Sequence, residues 1–226
     1  MAWPVLQLKA LGIDDILHFD FLSSPPAEVM MHALELLYSL GALNDQTQLT
    51  DLGAKMAEFP CEPRLAKLLL SSFDFGCVEE MLTLVAMLSI QHPFIQPRSN
   101  SKEAKQRQHE AIAEFAVLEG DHITLINVFN AYEDAQGQQS WCDQHMVQGR
   151  LLQRAKEVRA HLKKVLKRIA PLDATFASCG EDITCICRCL VSGFFSNAAQ
   201  LASDGKYRTI RGRLAVDIHP TSVLAR

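Results

Sequence analysis

Two prolines three residues apart, Pro60 and Pro63 in "LTDLGAKMAEFPCEPRLAKLLL" at residues 49–70, stand between two stretches that each read as helix. Proline lacks a backbone N–H and locks φ, and it holds the residue before it extended, so no single helix can run through this joint. The chain must end one helix, turn stiffly, and start another at a fixed angle. Thr50 and Asp51 are placed to cap the helix before the joint, and Pro60 ends it.

Upstream, residues 27–41, "AEVMMHALELLYSLG", carry Val29, Met30, Ala33, Leu34, Leu37, Tyr38 and Leu40 at amphipathic helical spacing, after Pro25 and Pro26 and before Gly41. "ALNDQTQLT" follows, two short apolar ends around an Asn-Asp turn, the signal of a small hairpin. Helix, hairpin and helix in so short a span is the plan of a winged-helix module. Downstream, "RLAKLLLSSF" and "VEEMLTLVAMLSI" predict two helices separated at 74–77, and "QHPFIQPRSNS" predicts a proline-bracketed loop. Residues 102–117 predict a helix with a polar first half. In "EGDHITLINVFNAYEDA" Asp121 is expected to cap a helix bearing Ile123, Leu125, Ile126, Val128, Phe129 and Tyr132. The whole stretch to Ile169 predicts a helical bundle.

The clearest helix is residues 147–169, where Leu151, Ala155, Val158, Leu162, Val165 and Ile169 form one stripe at steps of four and three. Its other faces are basic. Eight lysines and arginines against Glu157 give the segment from Arg150 to Arg168 a net charge of +7, in a chain whose net charge is -4. Such a helix is either a solvated face or one that meets phosphates or an acidic partner, and in the second case bound RNA is lost steeply with salt. After a further apolar helix in "ITCICRCLVSGFFSNAAQLA", the texture of "KYRTIRGRLAVDIHPTSVL" changes to strand signals around Gly212 and Pro220. Two or three strands are fewer than a sheet usually needs to stand alone, so the last module reads as truncated.

The near-neutral charge excludes a protein that coats nucleic acid along its whole surface; a polyanion site must be local. No apolar run approaches the roughly 18–20 residues of a membrane span, which leads us to expect no membrane partner. The first residues lack the pattern of a secretory signal, and seven cysteines then read as thiols of a reducing compartment, cytosol or nucleus. No P-loop, GxGxxG or GxSxG motif occurs, so no catalytic residue is expected and the chain alone is not expected to be an enzyme. Cys185, Cys187 and Cys189, with Cys179 nearby, tempt a metal reading, but helical positions two apart point in different directions. We expect core or half-exposed thiols and no metal site. His92, His109 and His145 read as solvated side chains. Glu119, Asp121 and His122 resemble an acid–base cluster, with helix capping as the plainer account.

Taken in order, "VLQLKALGIDDILHFDFLSSPP", "LYSLGALND", "LTDLGAKMAEFPCEPRLAKLLL", "FGCVEEMLTLVAMLSIQ", "EGDHITLINVFNAY", "WCDQHMV", "LVSGFFSNAAQ" and "YRTI" with "IHPTSVL" resemble the C-terminal region of DEAH-box RNA helicases from about Val5 to Leu224. The likeness is greatest to members that remodel the spliceosome or pre-ribosomes. It implies a mainly α chain: a degenerate winged helix at 5–64, a ratchet-like helical bundle at 65–171, and a partial OB-fold at 180–226. The proline joint would link the first two.

In such helicases, two RecA-like domains bind ATP and Mg and hydrolyse ATP, while these modules close over single-stranded RNA and receive regulators such as glycine-rich G-patch proteins. The resemblance puts Asp121, His122, Thr124 and Asn127 on the ratchet side of an RNA tunnel. It also raises Asn197, Lys206, Tyr207 and Arg208, at the OB-fold entry, as RNA contacts: lysine and arginine for phosphates, tyrosine for stacking. Arg150, Arg154, Arg159 and Lys163 on the basic helix join this set. The RecA-like domains, their P-loop and the DEAH box are missing from the sequence, and "MAWP" stands where the family would be leaving its second RecA-like domain, so a fragment or a partial gene product is expected.

The resulting expectation is an accessory region of a nuclear helicase, acting in pre-mRNA splicing, with RNA, the RecA-like domains and a G-patch or spliceosomal protein as partners. The competing reading is a protein-interaction module without RNA affinity of its own. A stand-alone DNA-binding winged helix suits the sequence poorly, because Lys55 is the only basic residue besides histidine between 27 and 59.

Overall fold

A computed structural model of the protein describes residues 1–95 and 101–225. Helix α1 (Ala2–Ala10) buries Val5, Leu6 and the stem of Lys9, whose ammonium donates to the Asp14 carbonyl at 2.7 Å. Helix α2 (Ala27–Ser39) buries Met30, Ala33 and Leu37. It ends at Ser39, one residue short of Leu40, and Gly41, at φ 79, turns the chain as its sequence position predicts. The Ala42 amide then reaches back to the Leu37 carbonyl and the Gly41 amide to Tyr38, a Schellman closure. The hairpin that follows is reduced to a single antiparallel bridge, Leu43 with Leu49, shaped by Asn44 Oδ1 accepting from the amides of Gln46 and Gln48.

Helix α3 (Asp51–Ala57) is capped as its sequence predicts, Thr50 Oγ1 accepting from the Gly53 amide at 3.0 Å. Gly53 leaves no room for a side chain: a Cβ there would fall 2.1 Å from the Ala42 carbonyl oxygen. The proline joint also behaves as read. Glu62 is extended at ψ 146, and Pro63 occupies the first turn of α4 (Pro63–Phe75), where its missing N–H costs nothing.

After Gly76 (φ 67) come α5 (Val78–Leu88), α6 (Lys102–Ala113), α7 (Asp121–Asp134), α8 (Gln139–Gln144), α9 (Gly149–Ile169) and α10 (Ile183–Phe194). Of the proline-bracketed loop at 91–101, residues 96–100 lie outside the described residues. The buried stripe of α9 shares Ala155, Leu162 and Val165 with the expected one but takes Leu152 and Leu166 in place of Leu151 and Ile169. Leu152, Ala155, Leu162, Val165 and Leu166 are buried, while Leu151, Val158 and Ile169 are only half-buried. A 3-10 turn, Phe195–Asn197, leads into strands β1 (Ala199–Leu201), β2 (Tyr207–Thr209) and β3 (Ala215–Val216). They form an antiparallel meander in the order β1-β2-β3, with Ala199 opposite Thr209 and Tyr207 opposite Val216.

The chain forms two compact units: Met1–Val78 with Leu162–Phe195, and Glu79–His161 with Ser196–Arg226. In the first, α1 packs on α2 and α3, and α4 packs on α10. The α4–α10 approach is close because Gly193 faces the Arg64 carbonyl, where a Cβ would stand at 2.6 Å. The second unit is built around Ala86, Met87, Phe94, Phe115, Val128, Phe129, Tyr132, Cys142, Val147, Leu152 and Ala155.

Candidate nucleic-acid interface

The first turns of α9 border a cleft of about 720 Å³ in the second unit, lined by Tyr132, Gln139, Gln148, Arg150, Gln153, Arg154 and Glu157, among others. Two glycines shape it. Gly149 brings α9 close to α8, since a Cβ there would meet Cys142 Sγ at 3.1 Å, and Gly137, at φ 67, lies against the Tyr132 ring. Burial pushes the Tyr132 hydroxyl up, so it stays a neutral donor at the wall of the cleft. Arg150 is exposed, and Arg154 shares only a solvent-exposed contact with Glu157 at 3.6 Å. An exposed pair of that kind is worth under about 1 kcal/mol. Both guanidinium groups, with glutamine amides beside them, therefore present donor forks suited to phosphate oxygens.

Arg159 has a different situation. Its Nε donates to Thr83 Oγ1 at 2.9 Å and its Nη2 to Glu79 Oε2 at 2.6 Å, with both charged side chains about three-quarters buried. It fastens α9 to α5. Lys163 belongs to the first unit, half-buried, its ammonium 5.8 Å from the centre of the Phe176 ring and that of Lys167 at 5.7 Å.

At the start of α7 the expected cap is corrected. Gly120, with φ 97, takes the N-cap position, and Asp121 instead turns its carboxylate to the C-terminal segment, accepting from Ser222 Oγ at 2.6 Å and from the Val223 amide at 2.9 Å. Leu224 packs over Gly120, 3.1 Å from where a Cβ would stand. Thr124 is buried, donating to the Gly120 carbonyl, and Asn127 Nδ2 donates to the Phe115 carbonyl at 3.2 Å. His122 is half-buried; desolvation pulls its pKa down against the opposing pull of Asp121. Asp121 and Thr124 share a cavity of about 180 Å³ with His92, Phe94, His219 and Thr221.

In the sheet, Lys206 is exposed, and strand alternation places it with Arg208 on the face opposite Tyr207. Arg208 is paired with Asp204 at 2.8 Å, which holds that carboxyl below its ordinary range. Asn197 is exposed on the 3-10 turn. The structure thus brings Arg150 and Arg154 to one cleft, Asp121 and Thr124 to one cavity, and Lys206 and Arg208 to one sheet face.

Sequence reading missed Tyr132, Gln139, Gln148 and Gln153 as cleft residues, although "WCDQHMVQGR" adjoins them. It also misread His145, which is buried rather than solvated: Nδ1 meets Glu114 Oε2 at 2.8 Å, and the ring lies 4.4 Å from that of Trp141. A partner 31 residues away leaves no local signal. Among the described residues no three side chains of His, Cys, Asp or Glu gather as metal ligands, and no helix is long and apolar enough to cross a membrane.

Residues 33–61 match the model of the helicase-associated domain (HA2), winged-helix, and residues 62–125 that of the helicase-associated domain (HA2), ratchet-like. The boundary between the two falls inside the proline joint. Over 225 residues, 99% of its length, the chain is 46% identical to the probable ATP-dependent RNA helicase DHX35 of Homo sapiens. Over the same span it is 42% identical to the pre-mRNA-splicing factor ATP-dependent RNA helicase prp22 of Schizosaccharomyces pombe. It spans 31% of the first relative's length and 19% of the second's.

Proposed function

The chain belongs to the helicase-associated winged-helix and ratchet-like regions of DEAH-box RNA helicases, and from that premise we propose that it is the accessory region of an ATP-dependent RNA helicase that guides single-stranded RNA. In this reading RecA-like domains of the same protein, loaded with ATP and Mg, supply the chemical step. These modules line part of the RNA path and receive regulators, including a G-patch or spliceosomal protein, in a nuclear particle that processes pre-mRNA. The splicing assignment leans on the fission yeast relative, whose name says that it acts there.

The observation that carries the RNA reading is the cleft at the start of α9, where Arg150 and Arg154 stand without a strong carboxylate partner in a chain of net charge -4. Two arginine forks at the mouth of one cleft can bind successive phosphates of a single strand. The test is fluorescence-anisotropy binding of a short single-stranded RNA from low to moderate salt. Each of Arg150→Ala and Arg154→Ala should weaken binding and lower the slope of log affinity against log salt by about 0.7, the value for one phosphate contact on a single strand. Arg159→Ala, which removes a fastening side chain, should leave the slope unchanged.

A second reading, docking without RNA affinity, is favoured by the sheet and its β2–β3 connection, where Leu201, Ile210 and Leu214 are more than half exposed. Absence of binding at the lowest salt would select it and remove the RNA reading for the isolated chain.

A further inference from the structure

Tyr132, in the last turn of α7, belongs to the core of the second unit by its ring and to the cleft by its hydroxyl. The residue is only 4% exposed, clustered with Phe129, Cys142 and Leu152, and its ring lies 6.2 Å from that of Trp141. Yet the hydroxyl makes no hydrogen bond to any described residue, and solvent reaches its oxygen. A tyrosine so deeply buried ordinarily finds a partner inside the protein, because desolvating the hydroxyl without one is costly. Beyond this hydroxyl lies the cleft. Gly137, at φ 67, keeps it uncovered, since a Cβ there would stand 2.9 Å from the Tyr132 oxygen. Both residues line the cleft together with Arg150 and Arg154.

The chemistry of the lining narrows what meets that hydroxyl. Arg150 and Arg154 stand about one turn apart on α9, roughly 6 Å along its axis, and a guanidinium only donates, which suits phosphate oxygens. Glu157, a turn further on, repels phosphate and confines it to the Arg150–Arg154 end of the cleft. The amide nitrogen of Gln139 is already engaged, donating to Asp143 Oδ1 at 2.7 Å. A tyrosine hydroxyl, by contrast, both donates and accepts. Its natural partner is a group that does the same and lies beside a phosphate. The ribose 2′-hydroxyl is such a group, present at every nucleotide of RNA and missing from DNA, whereas base edges change along the strand.

We propose that the Tyr132 hydroxyl hydrogen-bonds a ribose 2′-hydroxyl and so makes the cleft prefer RNA to DNA of the same sequence. The proposal rests on the reading that this cleft holds a single strand. Phosphates on Arg150 and Arg154 supply affinity common to both nucleic acids, and Tyr132 adds the one contact that only RNA can make. The packed ring holds the hydroxyl in place before the strand arrives, so little freedom is lost when the bond forms.

The experiment measures anisotropy binding of the whole folded chain to labelled oligouridine and oligodeoxyuridine, two single strands that differ only at the 2′ position. The native chain should bind the RNA strand about three- to tenfold more tightly, the worth of one hydrogen bond. Tyr132→Phe keeps the ring, and it should bring the RNA affinity down to the DNA value without changing the DNA affinity. Its thermal melt should match that of the native chain, since the hydroxyl holds nothing within the protein. Arg150→Ala should weaken both strands alike and preserve their ratio. Equal binding of the two strands by the native chain, or a ratio that Tyr132→Phe leaves unchanged, would overturn the role of Tyr132 while the effect of Arg150→Ala still upheld the cleft as the RNA site. Weakening of both strands by Tyr132→Phe with an earlier melt would make the hydroxyl a core group and overturn the proposal as well. Binding of neither strand by the native chain would remove the RNA reading itself and this proposal with it.

Discussion

The helices of the second unit and the three-stranded sheet of the same unit treat their apolar residues in opposite ways. Val128, Leu152 and Ala155 in the helical core are fully buried, whereas Leu201 in β1 and Ile210 and Leu214 in the β2–β3 connection stand more than half exposed. The helices therefore derive their stability from their own packing. The sheet has little core of its own, and the segment beyond it is tied down by a polar clasp, Asp121 to Ser222 and Val223. One chain thus pairs a self-sufficient scaffold with a surface-rich appendage, and apolar surface of that kind commonly marks a place where other chains bind.

The largest effect should come from the scaffold. Phe129→Ala removes a ring buried among the helices and should cost about 3–5 kcal/mol of unfolding free energy in urea; a loss below about 1 kcal/mol would move the core elsewhere. Asp121→Ala should cost less, about 1–2 kcal/mol, since hydrogen bonds to a partly exposed carboxylate are lost. Its signature should be local. Amide exchange at 217–225 should accelerate while the helices stay protected, and uniform acceleration through α7 would show that Asp121 serves the helix rather than the clasp.

A smaller, pH-dependent effect should come from His122. Burial lowers its folded-state pKa below the ordinary imidazole value of about 6.5, so between the two values the unfolded chain binds more protons and stability rises with pH. His122 should thus leave the protein fully stable above about pH 6.5 and weaken it as pH falls toward the folded value. Thermal melts of the native chain and His122→Gln should converge above that pH and separate below it, the native chain melting earlier; parallel curves would contradict the burial. Leu214→Ser should change least, within about 0.5 kcal/mol, in the same urea assay, because its side chain is two-thirds exposed.

Features set by neighbours in the chain were legible in the sequence. Pro63 opens α4 because its ring suits only a first turn, Thr50 caps α3, and Gly41 ends α2. The basic helix was legible in extent but not in every buried position. Leu151 and Leu152 both fit an apolar stripe at steps of three and four, and only the packing of α9 selected Leu152. Residues whose partners lie far along the chain were not legible. Arg159 meets Glu79 across 80 residues and Asp121 meets Val223 across 102, so neither the carboxylate partner of a residue read as a phosphate contact nor the clasp made by an acid read as a cap has a local signal. The exposed arginines of the cleft and the half-buried one paired with Glu79 differ in nothing that local composition records.

The central proposal is that single-stranded RNA runs over the start of α9, with the Lys206–Arg208 face as a further proposed contact. It is tested most directly by photo-crosslinking a 4-thiouridine-labelled single-stranded RNA to the whole chain and mapping the attached peptides by mass spectrometry. The account predicts crosslinks within 139–157 and 204–211. Crosslinks confined to α1–α4, or none at concentrations that saturate anisotropy binding, would contradict it.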